Sequence, residues 1–354
     1  MSKTLQAIGL IVVLIVVVSI VFVGCKKQET SEIVEDSTEV VEEIDETAVA
    51  EKEVPVEETA PEEKETVNSP ITVTDGLENE VMLESPAESL IVFAPSVLEV
   101  IDAIGGMGKV VGVDNWSIDN EEPLAEGLEG FGDYEGLNME KIAEADPDVI
   151  VRLEGQADDD FAKVKDFGIK VYTFKAQSFE GAYREITNIG LILGLEEEAR
   201  ELEEEFRTEV QEINSKVSGL KEEEKPKVFY EIYDEPLWSA GKGTFIDDMI
   251  SKAGGINIVS ADGLEGYVEY SIERLLENNP GIMIAGDGGM YESKTADVIL
   301  DDPRFSNVKA VLEDNVFIIP ENSVVRPNHN TVKGLLMFAK AMHPDIFGEF
   351  EIVE

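Results

Sequence analysis

Two glutamates occur in matched surroundings. The stretch Asn138-Met-Glu-Lys-Ile-Ala-Glu-Ala-Asp-Pro147-Asp-Val-Ile-Val aligns without a gap with Ser271-Ile-Glu-Arg-Leu-Leu-Glu-Asn-Asn-Pro280-Gly-Ile-Met-Ile. Each copy supplies a helix-capping residue, an acid two places on (Glu140, Glu273), a basic residue, a short helix, a Pro and an apolar strand. Two carboxylates held at a fixed separation suit charge-assisted bonds to a pair of cations on a partner. An acid in the first turn also complements the helix macrodipole. Groups for making or breaking bonds are scarce. Neither GxSxG nor HExxH occurs. Ala240-Gly-Lys-Gly-Thr244 is no phosphate loop, because Pro236 stands at the first Gly position and Gly243 replaces Ser/Thr. The only histidines are His329 and His343, and the latter, before Pro344, reads as a helix end. A naked zinc or manganese ion usually needs several His with carboxylates, so any metal should arrive already chelated.

The element that separates the two copies is the stretch Leu195–Leu220. Its apolar residues Leu195, Ala199, Leu202, Phe206, Val210, Ile213, Val217 and Leu220 recur every three or four places, which is one stripe of a helix. Glu196–Arg200, Glu203–Arg207 and Glu212–Lys216 are spaced for i,i+4 pairing, and Gly219 is a natural stop. At 1.5 Å per residue this strut would be roughly 36 Å long. Before it, strands are expected at 89–93, 110–114, 148–151 and 169–174, alternating with helices that include Val97–Ile104, Phe161–Phe167 and Phe179–Leu193. A hairpin around Gly76–Asn79 opens the folded part. After the strut, strands 227–233, 281–286 and 316–320 alternate with helices 245–253, 272–277 and 331–342. Such alternation implies parallel α/β sheets.

The chain starts with Lys3, an apolar run from Ile8 to Val23 and then Gly24-Cys25-Lys26-Lys27. This pattern describes a secretory signal. With the sole cysteine at the cleavage point, it resembles a lipoprotein signal, although Phe22 departs from the usual Leu; an uncleaved membrane anchor is the other reading. Either way the protein is tethered outside the cytoplasm and has no internal disulfide. Residues 26–69, rich in Glu, Thr, Val and Pro, read as a disordered acidic tether. The formal net charge of −48 exceeds what the tether contributes, so the folded part is acidic too. That argues against nucleic-acid binding and fits a salty medium.

Read in order, the chain resembles the solute-binding proteins of ABC importers for iron–siderophore, haem and cobalamin. The resemblance covers about residues 70–345. It is carried by ITVTDGLENEVML, APSVLEVIDAIGG with VVGVD, LNMEKIAEADPDVIV, SAGKGTFIDDMISKAGGINIV, DDPRFSNVKAV and VVRPNHNTVKGLLMFAKAMHP. It implies two Rossmann-like α/β lobes joined by a single long α-helix, with the ligand cleft between the lobes and little hinge motion. The corresponding segments are 1–25 (signal), 26–69 (tether), 70–178 (first lobe), 179–220 (interlobe helices), 221–345 (second lobe) and 346–354 (tail). The resemblance also implies that Glu140 and Glu273 dock onto a permease dimer and that Cys25 carries lipid, on a monomeric receptor without enzymatic activity or cofactor.

Open α/β sheets bind ligands at strand carboxyl ends. The cleft candidates there are Pro95, Ser96, Trp116, Tyr134 and Arg152 from the first lobe, and Tyr233, Trp238, Tyr270, Arg326 and His329 from the second. Aromatic rings lie flat on a macrocycle or catecholate, and arginine faces an anionic chelate. Arg326 matches the position from which iron-chelate binders often send an arginine into the cleft. A ferric siderophore is therefore the first expectation, then a corrinoid, then haem, which lacks an evident axial ligand. A secreted enzyme on a two-lobed scaffold is the competing class, and the missing catalytic motifs and the secretion signal argue against it.

Overall fold

The computed structural model describes residues 70–287 and 296–353. The expected signal with Cys25 and the acidic tether lie outside the described residues. The chain opens with a hairpin, β1 (Ile71–Thr74) and β2 (Glu80–Leu83), followed by β3 (Leu90–Phe93), α1 (Pro95–Ala103), β4 (Val110–Val113) and α2 (Asn115–Asp119). Three two-residue strands come next, β5 (Glu129–Gly130), β6 (Gly132–Asp133) and β7 (Gly136–Leu137), then α3 (Met139–Ala145), β8 (Val149–Leu153), α4 (Asp158–Asp166) and β9 (Lys170–Phe174). Helices α5 (Phe179–Leu193) and α6 (Glu196–Val217) lead to β10 (Lys227–Glu231), β11 (Tyr233–Asp234), β12 (Leu237–Ala240) and α7 (Phe245–Lys252). The order continues through β13 (Ile256–Asn257), α8 (Ile258–Ala261), β14 (Tyr267–Glu269), α9 (Ile272–Asn278) and β15 (Ile282–Asp287). It closes with α10 (Ala296–Leu300), α11 (Lys309–Leu312), β16 (Val316–Pro320), α12 (Asn322–Val325), α13 (Thr331–Met342) and α14 (Pro344–Phe347).

Two parallel sheets organise these elements, in the orders β5-β4-β3-β8-β9 and β13-β10-β15-β16. The repeat occupies equivalent places in both. Strand β8 lies beside β3, and β15 lies beside β10. Helices α3 and α9 are each seven residues long, capped by Asn138 and Ser271, whose side chains accept from the backbone N–H of Lys141 and Arg274. Both end on a left-handed residue, Asp146 (φ 43°) and Asn279 (φ 47°), followed by a Pro two places before the next strand. Asn tolerates this conformation because its short polar side chain bonds locally.

Helix α6 is about 33 Å long at 22 residues. It buries Ala199, Phe206, Val210, Ile213 and Val217, most of the expected stripe. Phe206 meets Tyr183 of α5 edge-on at 5.0 Å and Phe179 at 5.8 Å. Phe179 in turn meets Phe245 of α7 at 4.9 Å, and its N–H donates to Asp248. Asn214 of α6 donates to the Lys252 carbonyl. An apolar core therefore runs from the first sheet through α5 and α6 to the second. Gly190 permits this approach, since a Cβ there would lie 2.2 Å from that of Ala199. Of the expected charge pairs, Glu203–Arg207 forms at 2.7 Å. Arg200 instead takes Glu197 and Glu204, and Lys216 lies over the Phe347 ring.

One strand ends early. The parallel strand stops at Glu231, not at Tyr233, because the Ile232 N–H turns to the Trp238 carbonyl. Tyr233 thus belongs to a separate antiparallel sheet, β11-β12-β14. The last residues pack back, with Phe350 against Phe317 at 4.9 Å and Lys340 paired with Glu351.

Candidate functional site

In the first lobe the chain leaves β3 into the Pro-initiated α1, where Ser96 is buried. Asp114 leaves β4 and caps α2 by accepting from the N–H and hydroxyl of Ser117 at 2.7 and 2.8 Å. Burial pushes the Asp114 carboxyl above its ordinary range despite those bonds. Helix α2 presents a half-buried Trp116, and the β6–β7 hairpin holds Tyr134 at its tip, 59% exposed.

Arg152, at the end of β8, is occupied within its own lobe. Its Nε donates to the Thr173 hydroxyl at 3.3 Å, its Nη1 to the Gln156 carbonyl at 2.9 Å and to Asp158, and its guanidinium lies over Phe161. Arg152 itself is buried, whereas its partner Asp158 stands largely in solvent.

In the second lobe, Tyr233 stands opposite Trp238 across the β11–β12 pair, so the sheet sets two candidate aromatics side by side. Arg304 fixes their hairpin. It grips the Asp302 carboxylate with Nε and Nη2, and its Nη1 donates to the Asp234 carbonyl at 2.9 Å and lies 3.5 Å from Glu235.

Two expected cleft residues are placed elsewhere. Tyr270 is 1% exposed, its ring 5.5 Å from that of Phe229. Its hydroxyl donates to Asp262 and accepts from Asn278. Burial, followed by Asp262, pushes this phenol above its usual pKa. It is a core residue, because the chain enters α9 directly after it. His329 faces α6, lining a groove of about 530 Å³ with Leu202, Phe206, Ile213 and Leu336. Its Nδ1 is buried with no hydrogen-bond partner among the described residues, and burial lowers its pKa, favouring the neutral ring. The turn that starts α13, tied by the Thr331 hydroxyl to the Asn328 carbonyl, sends this side chain toward α6.

Arg326 joins the two lobes through charge. Its Nη1 donates to Glu99 of α1 at 2.8 Å and to Glu122 at 3.1 Å, and its Nη2 also pairs with Glu122. Asn328 donates to Glu99 at 2.8 Å and to the Ser96 carbonyl at 3.0 Å, and Asn330 donates to Glu99 at 2.9 Å. Burial opposes the charge on Arg326, but the bonds from Glu122 and Glu99 outweigh it and raise its pKa. Glu99, Glu122, Asn328, Asn330 and Arg304 were not singled out by sequence reasoning. For Glu99 a signal existed, as a lone carboxylate inside the apolar run Ser96-Val-Leu-Glu-Val-Ile.

Among the described residues no group of three or more His, Cys, Asp and Glu is arranged to hold a metal ion. Glu140 and Glu273 are exposed, each the second residue of its helix. Helices α3 and α9 run back against their strands, so both acids stand on the side of the strand carboxyl ends.

A family model described as periplasmic binding protein matches residues 90–323. An ABC transporter substrate-binding lipoprotein of Bacillus subtilis, YvrC, is 27% identical over 285 residues, covering 79% of this chain and 88% of the relative. A cobalamin-binding protein of Halobacterium salinarum is 24% identical over 277 residues, covering 77% and 74%. The crystal structure of a possible iron-binding (periplasmic solute-binding) protein from Staphylococcus epidermidis aligns with a TM-score of 0.62 and 27% identity, over 73% of this chain and 99% of that one. Two α/β lobes are the shared architecture.

Proposed function

We propose that this chain, which belongs to the periplasmic binding protein family, captures a corrinoid and hands it to its permease. At the coarser level it is the extracytoplasmic substrate-binding component of an ABC transporter for iron-, haem- or cobalamin-type ligands. The observation that carries the choice of ligand is the state of the two candidate arginines. Arg152 is bound to Asp158, and Arg326 to Glu99 and Glu122, so neither charge stands free for an anionic chelate. Trp116, Tyr134, Tyr233 and Trp238 then supply flat, largely uncharged contacts of the kind a corrin ring uses. Pro95 and Ser96 add the start of α1, and relatives named for cobalamin support the same reading. This reverses the order drawn from the sequence, where Arg326 put a ferric siderophore first. The siderophore reading keeps one support, the Staphylococcus neighbour titled as a possible iron-binding protein.

Delivery falls to Glu140 and Glu273, whose matched exposure on the two lobes supports docking against paired cations on a permease dimer. Lipid on Cys25, a monomeric receptor, and lobes spanning about 70–178 and 221–345 around the helices of 179–220 complete the reading.

Two measurements test it together. Tryptophan-fluorescence titration should show cyanocobalamin binding below about 10 μM, worth roughly 7 kcal/mol, with ferric siderophores and haemin weaker. No binding of cyanocobalamin at that concentration removes the corrinoid assignment. Glu140→Ala with Glu273→Ala should abolish uptake in cells and leave affinity unchanged; a collapse of affinity removes the docking assignment.

A further inference from the structure

We infer that Glu99 and Glu122 act as a charge filter on the interlobe site. By holding Arg326 between them they withhold the site's interlobe arginine from anionic ligands and set the site for neutral or cationic ones. The inference rests on the reading above that ligand binds between the lobes. Arg326 belongs to the second lobe, on the segment between α12 and α13. Glu99 lies on α1 and Glu122 in the turn after α2, both in the first. One guanidinium and two carboxylates leave a net negative charge. An anion approaching Arg326 must displace one carboxylate and then sit beside both, which is a like-charge cost.

Glu99 is poorly able to step aside. Its Oε2 accepts from Asn328 and Asn330, which follow Arg326 on the same segment. One stretch of chain therefore presents the arginine and also pins its partner. The guanidinium is largely removed from water, where charge pairing is stronger than at an open surface. Glu122 meets it through both oxygens, the fork-to-fork arrangement that arginine favours.

The test compares the purified full-length chain with Glu122→Gln and with the double variant Glu99→Gln/Glu122→Gln. Glutamine keeps the shape and one accepting oxygen, so at 99 it can serve either Arg326 or the asparagines and at 122 it keeps one of two bonds to Arg326. The probes are neutral cyanocobalamin and a trianionic ferric tris-catecholate, with circular dichroism and melting as fold controls. In the double variant the ferric chelate should bind at least about tenfold tighter, the scale of one charge-assisted bond, while cyanocobalamin changes by less than about threefold. Adding Arg326→Gln should erase the gain. Should the double variant misfold, Glu122→Gln alone should still gain about threefold. A folded variant with no gain overturns the filter, even if cyanocobalamin binds the parent chain. A gain for the chelate in a chain that binds no cobalamin upholds the filter and overturns the corrinoid reading.

Discussion

The helix–strand units α3–β8 and α9–β15 are one design built twice, and their differences lie almost wholly at the strand ends. Both helices are capped by a side chain, Asn138 at 3.1 Å and Ser271 at 3.3 Å. Both are anchored by one buried aliphatic residue, Ile142 or Leu275, and both expose an acid in the first turn. Beyond the strands the lobes part company. The first closes around Arg152 and its local partners, whereas the second adds the β11-β12-β14 sheet and sends Arg326 across to the other lobe. What is shared is the frame that exposes Glu140 and Glu273 in equivalent first turns. What differs is the set of side chains beyond the strand ends, Arg152 with its local partners in one lobe and Arg326 reaching Glu99 and Glu122 from the other.

The comparison is open to breakage at its anchors. Ile142→Ala and Leu275→Ala should each cost roughly 2–5 kcal/mol, the range for emptying a packed aliphatic site. Urea unfolding should show the two losses within about 1 kcal/mol of each other. An innocuous change at one site with a severe one at the other would mean that the copies are not equivalent in packing.

A smaller effect sharpens the contrast, because the first lobe carries a buried acid on its frame. Glu185 of α5 is 0% exposed, accepts from the Tyr172 hydroxyl at 2.6 Å and pairs with Arg184 at 3.2 Å. Burial outweighs those bonds and pushes its pKa from 4.5 up to about 7. The folded state therefore holds this proton between about pH 4.5 and 7 while the unfolded state has released it. The resulting stability is present at low pH and lost as pH rises through about 7. Relative to Glu185→Gln, the parent chain should lose on the order of 2–3 kcal/mol between pH 5 and pH 8. Melting both proteins across that range checks it, and parallel pH profiles would show that Glu185 does not titrate there.

The smallest effect belongs to the caps. Asn138→Ala and Ser271→Ala should each destabilise by about 1 kcal/mol, read as equal shifts in the denaturation midpoint. Unequal shifts would locate a difference between the copies in the first helical turn.

Much of the frame was legible because it is local. Helices 179–193 and 331–342 begin and end where the residue pattern places them, the first between the Ser178 cap and Gly194 in the left-handed region. The strut's stripe, the repeat with its caps and the parallel strands follow from periodicities of a few residues. The β11-β12-β14 sheet was not legible, since strands of two to four residues are too short to show an alternating pattern.

The candidate site divides along the same line. Two matched acids in the first turns of two matched helices, capped by Asn138 and Ser271 on either side of one long helix, follow from the residue order, because capping and amphipathic spacing are set within a turn or two. Tertiary structure alone decided that Tyr270 lies in the core, that His329 faces α6 and that Arg326 is claimed by Glu99, 227 positions away in the chain. Desolvation and charge pairing depend on what surrounds a group in space, and no local pattern encodes which distant carboxylate will meet a given arginine.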